Sequence, residues 1–493
     1  MSKGGKYTIK EKRFMEKKKF YITTSIAYVN APPHIGFALE LIQADVLARY
    51  HRLLGQDTYF LTGTDEHGIK NVKTAKEQGI TPKELADKNS QKFQELCEVL
   101  NISNDDFIRT ADQKRHWPSV EKVWKKLQGN GDIYLKKYKG LYCSGCEAFL
   151  TEKELEEGKC PIHQKEPEVV EEENYFFRLS KYEDRIRKAI ESKEFKIVPQ
   201  SRANEILGFI KQGLEDISFS RPRIKLDWGI PVPGDNSQTI YVWADALINY
   251  ISGLDYASES ELFQKYWPAD VQCVGKDITR FHAIFWPAIL FSLKLPLPKI
   301  LFVHGFITVE GQKMAKSLGN IIDPFYLVEK YGKDALRYYL LREISPFEDG
   351  DFTYKKFEER YNADLANGLG NLVARVITMA EKWKNQNGKI KRKNQNAKIN
   401  EIIEKSKKQH KKFLDDFKFN EALGVIWNLI SFCDRYIEKE RPWELKNQKV
   451  IADLLILLTK IADLLQPFLP ETSEKILKQV KTQKKVPLFP RLK

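Results

Sequence analysis

Two short motifs, far apart in the chain, contain residue types that handle phosphate groups. Pro33–Gly36 carries a histidine and a glycine, and Lys313–Ser317 carries two lysines. Glycine lets the backbone approach a nucleotide closely, a helix N-terminus favours an anion, and histidine can donate a hydrogen bond to a phosphate as charge builds up. Taken singly, a surface histidine and two solvated lysines explain these motifs better. Their chemistry becomes specific only in combination with the rest of the chain.

A second candidate centre consists of three cysteines and a histidine in two pairs with the same spacing. The pairs are Cys143 with Cys146, and Cys160 with His163. Two such pairs on tight turns converge on a tetrahedral ion, and thiolate with imidazole is the usual donor set of zinc. The alternatives are a disulfide, which a reducing compartment opposes, and three unrelated thiols, which the paired spacing opposes. We expect one structural Zn²⁺ per chain, because four protein ligands leave no open position.

The hydrophobic pattern around the first motif predicts a βαβ unit of a parallel sheet. Phe20–Thr24 is typical of a strand, the residues after Gly36 have apolar positions at helical spacing, and Thr58–Gly63 is typical of a buried strand. The active loops of parallel sheets lie at the carboxyl ends of the strands, and His34 and Asp65 both fall there.

The rest of the chain predicts an α/β protein with several domains. We expect three further strands, Thr239–Trp243, Val271–Val274 and Ile300–His304, with the helical stretch Phe281–Leu293 between the last two, and three amphipathic helices, Leu365–Met379, Lys411–Ile437 and Val450–Leu464. The fold class is thus a Rossmann-like parallel sheet, split by a zinc-knuckle insertion and followed by an α-helical domain. The predicted divisions are a basic disordered arm (1–19), a first half of the sheet domain (20–133), the insertion (134–238), a second half with the lysine loop (239–324), a linker region (325–364) and the helical domain (365–493).

The composition predicts a polyanionic partner. The chain has 493 residues and a net charge of +14, and clustered lysine and arginine gain affinity for phosphates by counterion release. A protein with many solvated surface lysines is the alternative. The densest apolar stretch, Ile284–Leu293, is too short to span a membrane, and no apolar segment follows the lysine-rich N-terminus. We expect a cytoplasmic protein with no membrane partner.

Several blocks together resemble the methionyl-tRNA synthetases, a family of class I aminoacyl-tRNA synthetases. The resemblance covers about residues 20 to 465 and includes the HIGH and KMSKS signatures of that class. It rests on Tyr21–Arg49, Phe60–Gly68, Asp227–Pro233, Tyr241–Tyr250, Cys273–Leu318 and Asp334–Arg342. The block from Gly275 to Pro287 separates the chain from the leucyl, isoleucyl, valyl and cysteinyl relatives.

This resemblance implies a reaction and a set of site residues. Methionine would be activated by ATP with Mg²⁺ to methionyl-adenylate and passed to the 3′-terminal adenosine of tRNA(Met), both initiator and elongator, by a protein that is a monomer. The implied catalytic residues are His34, Lys313 and Lys316. The implied methionine site is Tyr28, Asp65, Trp243, Ala246, Tyr250, Phe281 and His282. The implied ATP site is His34, Gly36, Glu40, Gly275, Lys276, Asp277 and Lys316. The implied readers of the CAU anticodon, in the helical domain, are Asn371, Arg375 and Trp443.

The implied roles suit the chemistry of the side chains. Asp65 would pair with the substrate ammonium, and the aromatic side chains would enclose the thioether. Asn371 and Arg375 lie at i and i+4, on one helical face, and Trp443 follows a proline that disfavours a helix interior. Stacking on an aromatic ring and hydrogen bonds to unstacked bases suit recognition of a single-stranded loop.

Two positions depart from the family signatures. Phe37 replaces the second histidine of HIGH, and Ala315 replaces the central serine of KMSKS. Losing a transition-state donor typically costs about 10²–10³ in rate, so we expect a neighbour to compensate (His282, His304 or Lys276) or the enzyme to be slow. The alternatives are another class I synthetase, a catalytically inactive paralogue that only binds tRNA, and a zinc-dependent nucleic-acid-binding protein without ATP chemistry.

Overall fold

The structure is a computed structural model that describes residues 18–145, 148–150, 152–162, 164–314, 318–387, 390, 396–445 and 447–492. Its strands are β1 (Lys19–Thr24), β2 (Ala27–Tyr28), β3 (Asp57–Asp65), β4 (Asp106–Arg109), β5 (Ile133–Cys143), β6 (Ala148–Leu150), β7 (Glu168–Phe177), β8 (Lys196–Val198), β9 (Ile217–Ser218), β10 (Ser220–Pro222), β11 (Pro231–Val232), β12 (Asp235–Ile240), β13 (Val271–Gly275), β14 (Ile300–His304), β15 (Ile307–Val309), β16 (Gln312–Lys313) and β17 (Gly350–Phe352).

The α-helices follow the same chain order. They are α1 (Ile35–Leu53), α2 (Ile69–Glu77), α3 (Pro82–Val99), α4 (Trp117–Gly129), α5 (Glu183–Glu191), α6 (Gln200–Ile210), α7 (Val242–Ala246), α8 (Asn249–Ser252), α9 (Glu261–Tyr266), α10 (Trp286–Ser292), α11 (Pro324–Tyr331), α12 (Lys333–Arg342), α13 (Tyr354–Arg360), α14 (Asn371–Asn387), α15 (Ala397–Asp415), α16 (Phe419–Glu440), α17 (Pro442–Leu445), α18 (Gln448–Leu465) and α19 (Pro470–Thr482). Two π-helical segments, Phe281–Phe285 and Tyr361–Gly370, run directly into α10 and α14.

The central element is a parallel sheet with the strand order β2–β3–β1–β13–β14–β8, and β4 also pairs with β3. Every pairing in it is parallel, which confirms the expected α/β class. The order runs outward in both directions from β1 and β13. Loops that follow these two neighbouring strands therefore open at the same edge, where ligands bind in doubly wound folds.

Alternate side chains of the central strands enter two different hydrophobic cores. On β1, Phe20 and Ile22 face a core that continues through α1 and α12 into the helical domain, whereas Tyr21 faces the opposite core. On β14, Phe302 belongs to the first core and Leu301 to the second. This period of two is what a strand buried on both faces requires. The helical domain therefore shares its core with the helix that follows the first motif.

The residues between β4 and β13 add two smaller antiparallel sheets. One has the order β6–β5–β7–β9 and the other β10–β12–β11. Strand β8 lies within the segment expected to be an insertion, yet it pairs with β14 at the edge of the central sheet. A third small sheet, β16–β15–β17, carries the start of the lysine motif. Within the described residues, no helix is long and apolar enough to cross a membrane.

Two expected elements were wrong. Thr239–Trp243 is not a strand of the parallel sheet: β12 ends at Ile240 in an antiparallel sheet, and Trp243 lies in α7. The expected helix Lys411–Ile437 is two helices, because the chain turns between α15 and α16, where Phe417 has a φ of 60°. Both errors arose where apolar residues continue through a change of direction that periodicity alone does not mark.

Candidate active site

A cavity of about 470 Å³ opens at the carboxyl edge of β1, β3 and β13. It is lined by all seven residues of the expected methionine site, Tyr28, Asp65, Trp243, Ala246, Tyr250, Phe281 and His282. It is also lined by five of the six described residues of the expected ATP site, His34, Gly36, Glu40, Gly275 and Asp277, and by Lys313. Lys316 lies outside the described residues, and Lys276 is adjacent to the cavity but does not line it. The structure thus brings two sets of residues into one space.

Aromatic rings form one end of the cavity. Trp243 and Phe281 are stacked with ring centroids 3.6 Å apart and an interplanar angle of 6°. Phe281 begins the π-helical segment, and such wide turns occur frequently at functional sites. Trp243 lies in the five-residue helix α7, with Ala246 one turn further on. The result is a flat apolar wall that suits an unbranched apolar side chain.

A neutral polar pair lies beside these rings. The hydroxyl of Tyr250 donates to Nε2 of His282 at 2.6 Å, and Nδ1 of His282 donates to the carbonyl oxygen of Ile278 at 2.9 Å. Burial lowers the pKa of His282 to about 4 and raises the pKa of Tyr250 well above its usual value. Both side chains are therefore uncharged at neutral pH, and their hydrogen bonds fix the ring orientations.

Asp65 is the carboxylate at this end of the cavity. It is the last residue of β3 and is only 5% exposed. Its backbone is held between strands, because it pairs with Tyr28 of β2 and its carbonyl oxygen accepts a hydrogen bond from the backbone N–H of Val29. The position of the carboxylate therefore depends on the sheet rather than on a flexible loop.

His34 caps the helix that follows the first motif. Its Nδ1 accepts a hydrogen bond from the backbone N–H of Gly36 at 3.0 Å, so that Nε2 carries the hydrogen of the neutral ring. Burial lowers the pKa of His34 and favours this neutral form. A β-carbon at position 36 would lie 2.8 Å from Cε1 of His34, so glycine is needed for the cap. The arrangement leaves Nε2–H as a donor for an anion at the N-terminus of α1.

Phe37, which replaces the second histidine of the signature, packs as an apolar residue. Its ring meets the ring of Phe93 on α3 edge-on, with centroids 5.0 Å apart. It also lines the cavity, as does Met314 of the second motif. A β-carbon at Gly36 would lie 3.6 Å from Cε of Met314, so the second motif reaches the first turn of α1. Ala315 lies outside the described residues.

Glu40, on α1, links this helix to Ser25 after β1 and to His304 at the end of β14. Its Oε1 accepts hydrogen bonds from the backbone N–H and the hydroxyl of Ser25, at 2.7 and 2.6 Å, and its Oε2 accepts one from Nε2 of His304 at 2.8 Å. Nδ1 of His304 donates to the carbonyl oxygen of Gly305. Burial alone lowers the pKa of His304, but the hydrogen bond and charge of Glu40 outweigh it and raise the pKa. Both ring nitrogens of His304 face acceptor oxygens, which favours the imidazolium form.

Two lysines gather around Phe306 at the other end of the cavity. Lys276 lies over the ring with Nζ 4.6 Å from the centroid, and Lys313 lies 5.7 Å from it. Lys276 also donates to Asp349 at 2.7 Å, and the side chain of Asp349 accepts from the backbone N–H of Phe306. Cation–π contacts and one carboxylate thus hold positive charge close to the cavity mouth.

Of the three neighbours expected to compensate for Phe37, His282 and His304 have both ring nitrogens engaged in hydrogen bonds. The ammonium of Lys276 has three hydrogens, and within the described residues it donates to Asp349. Gly275 and Asp277 complete this side of the site. A β-carbon at Gly275 would lie 2.9 Å from Oδ1 of Asp277, so the glycine allows the carboxylate to fold back.

The cysteine motif lies at the tip of the β5–β7 sheet and reaches the cavity. Cys143 and Cys160 are both buried in a small cluster with Leu150. Gly145 and Ile162, each beside an expected ligand, line the cavity. Cys146 and His163 lie outside the described residues, and among the residues that are described no group of three potential metal ligands occurs.

The three residues expected to read an anticodon lie in the helical domain. Asn371 is exposed at the start of α14, and Arg375, one turn later, forms an ion pair with Asp434 of α16 at 3.2 Å. Trp443 follows the end of α16 and is 52% exposed, which is unusual for a tryptophan. An exposed aromatic ring is what base stacking needs.

The sequence analysis did not identify Phe306, Asp349 or Lys70 as parts of the site. Lys70 lines the cavity and lies over the ring of Tyr28 with Nζ 5.8 Å from the centroid. Because Lys70 follows Asp65 by only five residues, its place near the site could have been inferred from the sequence. No local signal marks Asp349, which meets Phe306 and Lys276 only through the fold.

The comparisons with known proteins agree with this geometry. A family model described as tRNA synthetases class I (M) matches residues 20–166 and 152–377, and one described as the anticodon-binding domain of tRNA ligase matches 396–491. The methionine--tRNA ligase of Brucella suis is 45% identical over 477 residues, 94% of this chain and 92% of that protein. That of Clostridium acetobutylicum is 47% identical over 479 residues, 94% of this chain and 74% of that protein.

Solved structures of similar proteins extend the agreement to the whole fold. Mycobacterium tuberculosis methionyl-tRNA synthetase in complex with methionyl-adenylate matches with a TM-score of 0.89 and 38% identity, covering 96% of this chain and 100% of that one. Its apo form matches with a TM-score of 0.82 and 35% identity, covering 97% and 99%. The parallel-sheet domain and the helical domain are those of a class I aminoacyl-tRNA synthetase. Within that class, the chain belongs to the methionine--tRNA ligase family.

Proposed function

We propose that the cavity binds methionine at its aromatic end and ATP at its cationic end, and that it joins them as methionyl-adenylate before transfer to tRNA(Met). The observation that carries the proposal is the common lining of one space by Asp65, Trp243 and His282 on one side and by His34 and Lys313 on the other. A carboxylate beside an apolar wall matches the ammonium and thioether of methionine, and a helix N-terminus beside lysines matches a triphosphate.

In this proposal, each methionine group meets a matching partner. The ammonium binds Asp65, a charge-assisted contact in a buried setting. The thioether packs against the Trp243–Phe281 stack, where sulfur–aromatic contacts add selectivity. The neutral pair of Tyr250 and His282 lies beside the rings, and Tyr28 and Ala246 complete the lining.

Activation is an in-line attack of the methionine carboxylate on the α-phosphate of ATP. Nε2–H of His34 donates to phosphate oxygens as they gain charge, and the lysines neutralise the departing pyrophosphate, Lys313 and Lys276 near Phe306 and Lys316 further along the motif. Asp277 contacts the nucleoside, and Glu40 holds Ser25 and His304 in place beneath it. Mg²⁺ accompanies the triphosphate and adds charge neutralisation there. Catalysis then consists of positioning and charge stabilisation.

In the second step, a hydroxyl of the terminal adenosine of tRNA attacks the carbonyl carbon of methionyl-adenylate, and AMP leaves. The helical domain selects the tRNA. Trp443 offers a ring for stacking, and Asn371 and Arg375 offer hydrogen bonds to base edges. Both initiator and elongator tRNA(Met) carry the same anticodon and are expected substrates. The protein acts as a cytoplasmic monomer.

The cysteine motif is proposed to hold a structural zinc ion. Cys143 and Cys160 are buried within one small cluster, as two ligands of a shared ion must be, and the described cysteines form no disulfide. Cys146 and His163 would complete a thiolate–imidazole set that suits zinc. The ion would fix the tip of the β5–β7 sheet, which contributes Gly145 and Ile162 to the cavity.

The deciding experiment is methionine-dependent ATP–pyrophosphate exchange, followed by charging of a tRNA with a CAU anticodon. We expect exchange with methionine to exceed that with leucine, isoleucine, valine and cysteine. If exchange is highest with another amino acid, that amino acid and not methionine is the substrate. Exchange at background level with intact tRNA binding would indicate an inactive tRNA-binding paralogue, the alternative that Phe37 favours.

A further inference from the structure

A buried hydrogen-bonded network lies behind the methionine end of the cavity. Nδ1 of His67 donates to Oδ2 of Asp245 at 2.6 Å, and Nε2 of His116 donates to Oδ1 of Asp245 at 2.7 Å. The hydroxyl of Ser252 lies 2.7 Å from Nδ1 of His116 and donates to it. All four side chains are at most 2% exposed, and none of these four described residues lines the cavity.

The network joins the two walls between which methionine is proposed to bind. His67 follows Asp65 by two residues on the segment that leaves β3. Asp245 lies on α7 between Trp243 and Ala246, and Ser252 is the last residue of α8, the helix of Tyr250. The carboxylate wall and the aromatic wall are therefore linked directly by the His67–Asp245 hydrogen bond. His116, which precedes α4, connects the same carboxylate to Ser252 of α8.

The helices involved are too short to hold their own positions. α7 has five residues and α8 has four, whereas isolated helices need roughly 12–15 residues to be even marginally stable. Their placement must come from tertiary contacts. Hydrogen bonds to a buried carboxylate are directional, so they resist a sliding movement that apolar packing alone tolerates.

The chemical state of the network supports a fixed geometry. Burial alone raises the pKa of Asp245, but the neighbouring imidazoles of His67 and His116 and their hydrogen bonds outweigh it and hold the pKa below its usual value. A buried carboxylate that loses one of two donors is strongly destabilised, so the two walls cannot separate without cost. Two rings also meet His67 edge-on, Trp228 with centroids 5.4 Å apart and Trp117 with centroids 6.1 Å apart.

We propose that His67, Asp245, His116 and Ser252 act as a positioning network that sets the distance between Asp65 and the Trp243 wall, and thereby the affinity for methionine. None of the four touches the substrate, so the effect is on binding rather than on a chemical step. The inference rests on the function proposed above. It predicts that damage to the network weakens methionine binding while leaving ATP binding nearly unchanged.

The test compares His67→Leu with His67→Asn. Leucine removes the donor to Asp245, whereas the amide of asparagine provides an N–H near the position of Nδ1. We expect His67→Leu to weaken methionine binding by about tenfold or more, with the KM for ATP changed by less than about twofold, and His67→Asn to recover most of the loss. The measurements are calorimetric titration of methionine without ATP, the two KM values in exchange, and the thermal midpoint.

The control is His410→Leu, which removes a buried histidine of α15 outside the cavity. It should lower the thermal midpoint and leave methionine binding unchanged. Ser252→Ala is the second variant, because it removes only the hydroxyl that orients His116, and it should weaken methionine binding by about two- to threefold. If His67→Leu does not fold, methionine binding by Ser252→Ala decides whether the inference stands.

Three results would overturn the inference. The first is methionine binding within about twofold of the wild type in His67→Leu, and the second is unchanged binding in Ser252→Ala. The third is a loss in His67→Asn as large as that in His67→Leu, since a donor would then not be the cause. Failure of the proposed function is recognised separately, because the wild-type protein itself would then show no methionine-dependent exchange.

Discussion

The two ends of the cavity are built on different principles. At the aromatic end, which we propose binds methionine, Trp243, Phe281, Tyr250 and His282 contact one another, and the polar atoms of the Tyr250–His282 pair bond to each other and to the backbone. At the cationic end, which we propose binds ATP, Lys276 is half-buried and Lys313 is exposed, and they are held by a ring and a carboxylate. A rigid, neutral wall selects by shape, whereas accessible cations can follow charge as it moves to the leaving group.

The largest expected effect comes from the carboxylate at the proposed methionine end. Asp65→Asn removes the partner of the substrate ammonium in a buried site, so kcat/KM for methionine in exchange should fall by about 10³-fold. Asp57→Asn is the matched control at the opposite end of the same strand, where the carboxylate bonds to Tyr266 and Lys265, and should change kcat/KM by less than about twofold. Equal losses in both variants would contradict the assignment.

The next effect should appear in kcat rather than in binding. His34→Asn keeps a good N-cap for α1 but removes Nε2–H, so kcat should fall by about 10²–10³-fold while the methionine dissociation constant stays within about twofold. Rapid-quench measurement of adenylate formation separates the two quantities. His51→Asn, at the other end of α1, serves as the control. A rise in KM with unchanged kcat would make His34 a binding residue only.

Replacing one ring of the stack tests selection by shape. Phe281→Leu should raise the KM for methionine by about tenfold and reduce the discrimination against leucine, because the flat wall is lost. Phe285→Leu is the control, since Phe285 meets Phe281 edge-on but does not line the cavity. Exchange assays with both amino acids provide the comparison. Unchanged discrimination in Phe281→Leu would remove the stack from the specificity site.

The neutral pair predicts a particular pH dependence. With the pKa of His282 at about 4, methionine binding should show no inflection from this residue between about pH 6 and 8. Below about pH 6.5 the unfolded chain takes up a proton at this histidine and the folded protein does not, so stability falls as the pH decreases towards 4. The free energy of unfolding, measured with urea at pH 6.5 and at pH 5, should therefore decrease by about 2 kcal/mol less in His282→Gln than in the wild type.

The smallest effect is expected at the signature position that differs from the family. Phe37→His should leave the exchange rate unchanged or raise it by up to about tenfold, because an imidazole adds a donor at the ATP end and still fits against Phe93. Phe37→Leu keeps the apolar contact without the donor and is the control. A large fall in Phe37→His alone would show that the apolar packing itself is required.

The sequence alone was sufficient to predict the elements and residues that local patterns and side-chain chemistry mark. The strands around β1 and β3, the helix after Gly36 and the family signatures are local patterns, and the seven residues that the resemblance implied for methionine line one cavity. It was not sufficient for the segment from β12 to α8, where Trp243 had been expected in a strand. An apolar run of that length fits a buried strand and a buried short helix equally well.

Which groups pair with one another was decided by the tertiary structure. Glu40 and His304 are 264 positions apart, and His67 and Asp245 are 178 apart, so no local pattern couples them. The pKa values of His304 and Asp245 depend on burial and on those partners, which exist only after the sheet and the insertion have packed. The amino-acid sequence therefore determined the chemistry available to this protein, and packing determined which side chains are neutral, which are charged and which are held still.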